Sequence, residues 1–280
     1  MRLRTPAAIL ATALMGLLAA AAPAAAEPTW APADEADIRP GNMTFTEGAQ
    51  CTSNFVFFDA ADNVYLGQAA HCSGTGEAIG ANGCESESLP LGTPVEIEGA
   101  SKPGTLVYNS WLAMQKAGET DDDACQFNDF ALVQIHPADV DNVNPTIPFW
   151  GGPTGLVDTN AIDDTILVGE KVLSYGNSSL RQGLRALSPK KGISLGQSGE
   201  GWSHDVLTLT PGLPGDSGSA FIDRQGNAFG VLSTLQLFPL TGSNGVTDLS
   251  RALGYMRSSG FAAELAEGTE DFGGALIPLL

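Results

Sequence analysis

Residues 211–221 read PGLPGDSGSAF. Two prolines and three glycines break the chain before an apolar run begins at Ala220. A Gly-Asp-Ser-Gly run of this kind can be an ordinary tight turn leading into a hairpin. It can also hold Ser217 as a nucleophile. Gly215 and Gly218 admit backbone angles that other residues resist, so the N–H groups of Gly215 and Ser217 can converge on one oxygen. A serine works this way only with a base to take its proton and a carboxylate to orient that base. The rest of the chain therefore decides how the stretch is read.

Its texture is that of a strand-rich protein. Among 280 residues there are 34 glycines and 17 prolines, and aromatics make up only 7%, which favours short strands and many turns over a helical bundle. In residues 49–140 the β-type runs are SNFVFFDA, NVYLGQAA, PVEIEGA, GTLVYNSWLAM and DFALVQI, with a turn at Ala61-Asp62. HPADVDNVNPTIPFWGGPTG then reads as a linker into a second half, residues 141–280. There TILVGEKVLSYG and HDVLTLTP are strands, and SAFIDRQGNAFGVLSTLQL predicts a hairpin turning at Gln225-Gly226-Asn227. In TDLSRALGYMRSSG the period changes. Leu249, Leu253 and Met256 recur at helical spacing, with Thr247 or Asp248 able to cap. The apolar end, ALIPLL, fits either a docked tail or a last strand. Residues 1–26, basic at Arg2 and Arg4, then apolar, then Ala24-Ala25-Ala26, read as a cleaved export signal. Residues 27–48, acidic and Pro-rich, read as an extended leader or short pro-segment.

The formal charge is −19. Loss of Arg2 and Arg4 with the signal leaves 11 basic against 32 acidic residues, or −21. Such a chain disfavours nucleic acid and anionic membrane surfaces as partners. Asp121-Asp122-Asp123 lacks the ligand spacing of a calcium loop and reads as a solvated loop. Four cysteines, Cys51, Cys72, Cys84 and Cys125, form an even set in an exported chain and predict two disulfides, with three pairings open. No Cys-x-x-Cys pair points to zinc, and no metal or organic cofactor is expected.

There are only three histidines. His136 stands at the linker edge and His204 in GWSHDV. His71 ends the strand-like VYLGQAAHC, where a side chain can project into a cleft, and is the best candidate base. Asp129 opens the apolar run NDFALVQI, so it can point inward while Phe130, Leu132 and Ile135 help build the core. A buried carboxylate needs a partner, and an imidazole N–H would serve.

The blocks AAHC, DFALV and GDSGS, in that order, resemble the three catalytic blocks of the chymotrypsin-like serine proteases. The Ala-rich signal and CTSNFVF look most like secreted actinobacterial members. The resemblance implies an all-β fold of two six-stranded antiparallel β-barrels with the active site in the cleft between them, to which the helical pattern near the end adds a C-terminal helix. It implies a secreted, monomeric serine endopeptidase acting on polypeptides. Ser217 would be the nucleophile, His71 the base, Asp129 its orienter, and the N–H groups of Gly215 and Ser217 the oxyanion hole. Ser233 in VLST would lie on the strand that pairs with substrate, and Cys51–Cys72 would bridge beside the histidine, with Cys84–Cys125 as the other disulfide. A catalytically silent binding protein on the same fold, or an esterase using the same triad, is the alternative. Departures from the family pattern carry information. Pro211 stands where trypsin-type members carry an aspartate, which implies apolar or small side chains before the cut. Ser219 replaces a glycine, and no cysteine follows Cys125. Asp216 needs a cationic partner, for which Arg181 and Arg185 are the candidates. His204 is read as structural, with a place in the specificity pocket as the alternative.

Overall fold

The computed structural model describes residues 27–76, 82–158, 166–236 and 242–274. The expected export signal and the ALIPLL tail lie outside these residues. The first half contributes strands β1 (Met43–Thr46), β2 (Ala49–Thr52), β3 (Val56–Phe58), β4 (Val64–Gln68), β5 (Pro94–Ile97), β6 (Gly104–Asn109) and β7 (Ala131–Gln134). Helices α1 (Ser110–Ala117) and α2 (Asp122–Phe127) sit between β6 and β7. The second half holds β8 (Lys171–Tyr175), β9 (Pro189–Ser198), β10 (Ser203–Thr208), β11 (Ala220–Ile222), β12 (Ala228–Gln236) and β13 (Ser243–Asp248), then α3 (Leu249–Ser258) and β14 (Glu264–Leu265). The strands of the second half close a six-stranded barrel in the order β10-β13-β12-β11-β8-β9. The first half is the more open member of the pair, a sheet curled into a half-barrel. It is an eight-stranded sheet ordered β14-β3-β4-β7-β6-β5-β1-β2, in which β14, the last strand among the described residues, completes one edge. Val56 and Phe58 on β3 share a core with Val95 and Ile97 on β5, so this sheet curls on itself.

The period of two along each strand builds three layers of core. Val56, Phe58, Val64, Leu66 and Val133 face inside the first sheet. Val172, Val206, Phe221, Phe229 and Val246 fill the barrel. The alternate residues Phe57, Tyr65, Leu132, Leu173, Ile222 and Val231 meet between the halves, sealed by Leu249, Leu253 and Met256 of α3. Both faces of the central strands are therefore buried, which fixes how the halves sit and hence where the cleft lies.

Four regions are built differently from the sequence reading. Residues 27–48 are packed onto the first sheet and not extended from it: Ile38 is fully buried and β1 pairs with both β2 and β5. Its inward residues are Thr44 and Thr46 while Met43 and Phe45 are half-buried, which inverts the usual polarity signal. The Pro/Asn-rich linker is packed, with Val143, Ile147 and Trp150 buried and the Trp150 indole donating to the Ser174 carbonyl at 2.7 Å. In GTLVYNSWLAM the strand stops at Asn109, whose side chain accepts from the N–H groups of Trp111 and Leu112 and starts α1. Asp121 likewise caps α2, so the aspartate triplet is a helix start and not a loose loop. The hairpin between β11 and β12 and the Asp248 cap of α3 are as read.

Candidate active site

His71 follows β4 on a short 3-10 turn, Ala70–Ser73, and Cys72 on the same turn is bridged to Cys51 of β2. The second disulfide joins Cys84 to Cys125 of α2. Asp129 lies between α2 and β7 and is 3% exposed. Ser110 holds the chain on both sides of it: its hydroxyl donates to the Asn128 carbonyl at 2.7 Å and accepts from Phe130 N–H at 3.1 Å. The Asp129 carboxylate faces His71 with both oxygens. One accepts from His71 backbone N–H at 2.9 Å, and the other lies 2.7 Å from His71 Nδ1. The second oxygen also accepts from the Ser233 hydroxyl at 2.6 Å. Ser233 sits at a bulge of β12, where the pairing with β13 shifts between Leu232 and Thr234. The strand expected to lie along substrate thus also anchors the carboxylate that faces His71, a contact the sequence reading did not foresee.

Ionisation is biased accordingly. Burial alone would push the His71 imidazole down, but the Asp129 charge and hydrogen bond outweigh it and hold the imidazole above its ordinary value. Burial would push the Asp129 carboxyl up, yet His71 and the Ser233 hydroxyl hold it below the usual carboxylate range.

Ser217 is delivered from the barrel and fastened to the first sheet. Its carbonyl accepts from Thr52 N–H at 2.8 Å, and the next carbonyl, Gly218, accepts from the Asn54 side chain at 3.0 Å. Gly218, at φ +88°, lies so close that a Cβ would meet Thr52 O at 2.6 Å and Ala69 N at 2.9 Å. The serine loop is therefore pressed against the strand end that leads into His71. Among the described residues the Ser217 hydroxyl makes no hydrogen bond, and the N–H groups of Gly215 and Ser217 donate to no protein acceptor. These are the two donors expected to face an oxyanion.

Asp216 is fully buried, and among the described residues its carboxylate receives five hydrogen bonds. Arg181 grips it with both guanidinium Nη groups, and Lys190 Nζ adds a contact at 2.6 Å. The N–H groups of Leu213 and Ser178 complete the set at 2.9 and 3.1 Å. Despite burial, these partners keep its carboxyl below the usual range. Lys190, 1% exposed, is itself pushed down by burial and by Arg181, with Asp216 opposing. Of the two arginine candidates Arg181 is the partner, while Arg185 makes no contact with Asp216. Lys190 escaped the sequence reading, because nothing in PKKG announces a buried lysine. His204 is fully buried inside the barrel, 2.8 Å from Asp248 Oδ2 and edge-on to Phe229, which is a structural placement. Pro211 is exposed. Among the described residues one group of metal-type side chains lies within reach of a common centre, Cys51, His71 and Cys72, and its two sulfurs are bonded to each other.

No protein-family model and no curated protein matches the chain. Solved structures do. Thermobifida fusca Protease A superposes with a TM-score of 0.53 at 18% identity, covering 82% of this chain and 99% of that one. A glutamic acid specific serine protease, described as using a histidine triad in substrate binding, superposes with a TM-score of 0.50 at 16% identity, over 82% of this chain and 100% of its own. At such identities the likeness is one of fold, and the fold is that of the chymotrypsin-like serine proteases.

Proposed function

We propose that the chain is a secreted, monomeric serine endopeptidase that cuts polypeptides through a covalent acyl-enzyme. The observation that carries this reading is the continuous arrangement Ser233–Asp129–His71, with Ser217 and two unpaired N–H groups held beside it. Ser217 Oγ attacks the scissile carbonyl while His71 Nε2 takes its proton. Asp129, at His71 Nδ1, fixes the tautomer and stabilises the imidazolium that forms. The carbonyl oxygen, now negative, receives the N–H groups of Gly215 and Ser217. His71 then returns the proton to the leaving amine, and water repeats the sequence on the acyl-enzyme. A serine–histidine hydrogen bond that is open in the free enzyme tightens with substrate bound. With no carboxylate at Pro211, the side chain before the cut is apolar or small. Its two disulfides and strongly negative charge suit an extracellular setting.

A fluorophosphonate probe tests this. The expected result is one adduct at Ser217, lost in Ser217→Ala, together with peptide cleavage inhibited in proportion to labelling. A folded, disulfide-bonded chain that neither labels nor cleaves a peptide library would be a binding protein on this fold, and ester turnover without peptide turnover would make it an esterase. Dominant cleavage after Lys or Arg would overturn the specificity.

A further inference from the structure

The two N–H groups assigned to the oxyanion are held by different means. In a planar trans peptide the N–H and the C=O point in opposite directions, so whatever holds the carbonyl aims the N–H. The Ser217 N–H belongs to the peptide whose carbonyl is that of Asp216, and that oxygen accepts from Ser219 N–H at 3.0 Å. Backbone alone sets its direction. The Gly215 N–H belongs to the Pro214–Gly215 peptide. Pro214 O accepts from the hydroxyl of Ser178, at 2.5 Å. Neighbouring contacts leave that hydroxyl one role. Ser178 Oγ already accepts from Leu180 N–H at 3.2 Å, so its own hydrogen is directed to Pro214 O. On the far side of the Gly215 Cα, the Gly215 carbonyl accepts from Thr52 Oγ1 at 2.7 Å and from the Gln50 side chain at 3.2 Å. The chain before and after this glycine is thus pinned. Asp216 N–H closes the turn onto the Leu213 carbonyl at 2.8 Å, and within it the leading peptide, the one carrying the oxyanion donor, is held among the described residues by this one side chain.

We infer that Ser178 is a positioning residue of the oxyanion hole, its hydroxyl holding the Pro214–Gly215 peptide so that Gly215 N–H faces the reacting oxygen. Glycine at 215, with φ +93°, offers little torsional resistance to rotation of that peptide. Without the hydroxyl, the peptide is free to turn Pro214 O toward the place where the negative charge develops. Ser178 is 2% exposed and also gives its N–H to Asp216, so its backbone stays anchored when the hydroxyl is removed.

The inference rests on Ser217 being the nucleophile, and the test separates the two. Ser178→Ala and Ser178→Thr are compared with the unsubstituted protein for peptide turnover and for inhibition by a peptide aldehyde, whose adduct places an oxyanion in the hole. Losing one such donor outright costs about 10²–10³ in kcat, and a freed peptide keeps the donor part of the time. For Ser178→Ala we expect kcat to fall about 10- to 100-fold with KM little changed, and aldehyde affinity to weaken by the same factor. The pH profile should not move, because His71 and Asp129 are untouched, and Ser178→Thr should restore most of the rate. A Ser178→Ala protein that melts earlier but keeps full kcat and aldehyde affinity while folded would overturn the inference. So would a loss carried by KM alone. If the unsubstituted protein neither labels at Ser217 nor turns over peptide, it is the functional reading that has failed.

Discussion

The two cations on Asp216 invite an asymmetric pair of substitutions, Arg181→Met and Lys190→Met. The carboxylate is fully buried and carries one negative charge against two positive ones, so the cluster has a surplus cation in the interior. Arg181 supplies two of the five hydrogen bonds and a third to the Leu187 carbonyl at 3.0 Å. Removing it leaves the buried carboxylate with Lys190 and two N–H groups and loses two charge-assisted hydrogen bonds, about 3–6 kcal/mol together. Lys190 supplies one charge-assisted bond, worth about 1.5–3 kcal/mol. Its removal also relieves the burial of a second cation beside Arg181, the two effects that push its own protonation down. The net cost of Lys190→Met is therefore about 0–2 kcal/mol. Denaturant midpoints for the two variants, with slopes checked for equality, measure the difference. Arg181→Met should also depress kcat, since Asp216 stands between Gly215 and Ser217, the two proposed oxyanion donors, whereas Lys190→Met should leave kcat within a few-fold. Equal destabilisation by the two variants, or a larger effect at Lys190, would falsify the claim that Arg181 carries the anchor.

The raised imidazole of His71 places the acid limb of kcat/KM above pH 6.5, activity rising as the proton leaves. In Asp129→Asn that limb should move down and kcat should fall by about 10⁴-fold. The depressed Asp129 carboxyl contributes stability that is complete above the ordinary carboxylate range and is lost as pH falls through its folded value, so Asp129→Asn should flatten the acid side of a stability–pH curve. Gly218→Ala places a Cβ against the backbone of Thr52 and Ala69 at a positive φ. It should cost about 1–3 kcal/mol and slow fluorophosphonate labelling, and unchanged labelling would mean the loop is not pressed against the strand end. Replacing Cys51 and Cys72 together opens a loop of 21 residues' separation and should cost about 3 kcal/mol by loop entropy, read as a drop in midpoint of the oxidised protein.

The chemistry of the site was more legible than the sheets that carry it. Asp129 and His71 each stand at the edge of an apolar run, so local context marks them, and Ser217 lies in a glycine-framed turn. Much of the second barrel was hidden. Strand β13 is buried at every position yet reads SNGVTD, polar enough to pass for a loop. Its polar groups find partners that only the assembled fold provides, such as the Phe127 carbonyl of α2 for Thr247 and His204 of β10 for Asp248. Strand β9, PKKGISLGQS, carries two lysines and two glycines, and one of those lysines turns inward to Asp216. A buried charge, like the grip of Ser178 on Pro214, is decided by partners distant in sequence, and no local pattern encodes it.

Strand β14 comes almost last among the described residues, yet it pairs with Phe57 and Phe58 of β3 near the chain's beginning. As the polypeptide is made from its N-terminus, the first sheet lacks this edge strand until every barrel strand and α3 have been synthesised. Closing so long a loop is entropically costly and slow, and until it closes an edge bordered by phenylalanines stays open to pairing with other chains. The strand acts as a completion clasp. A chain ending at Phe261 should aggregate where one retaining Glu264–Leu265 does not, and the first sheet is not finished until this late sequence has come back to β3.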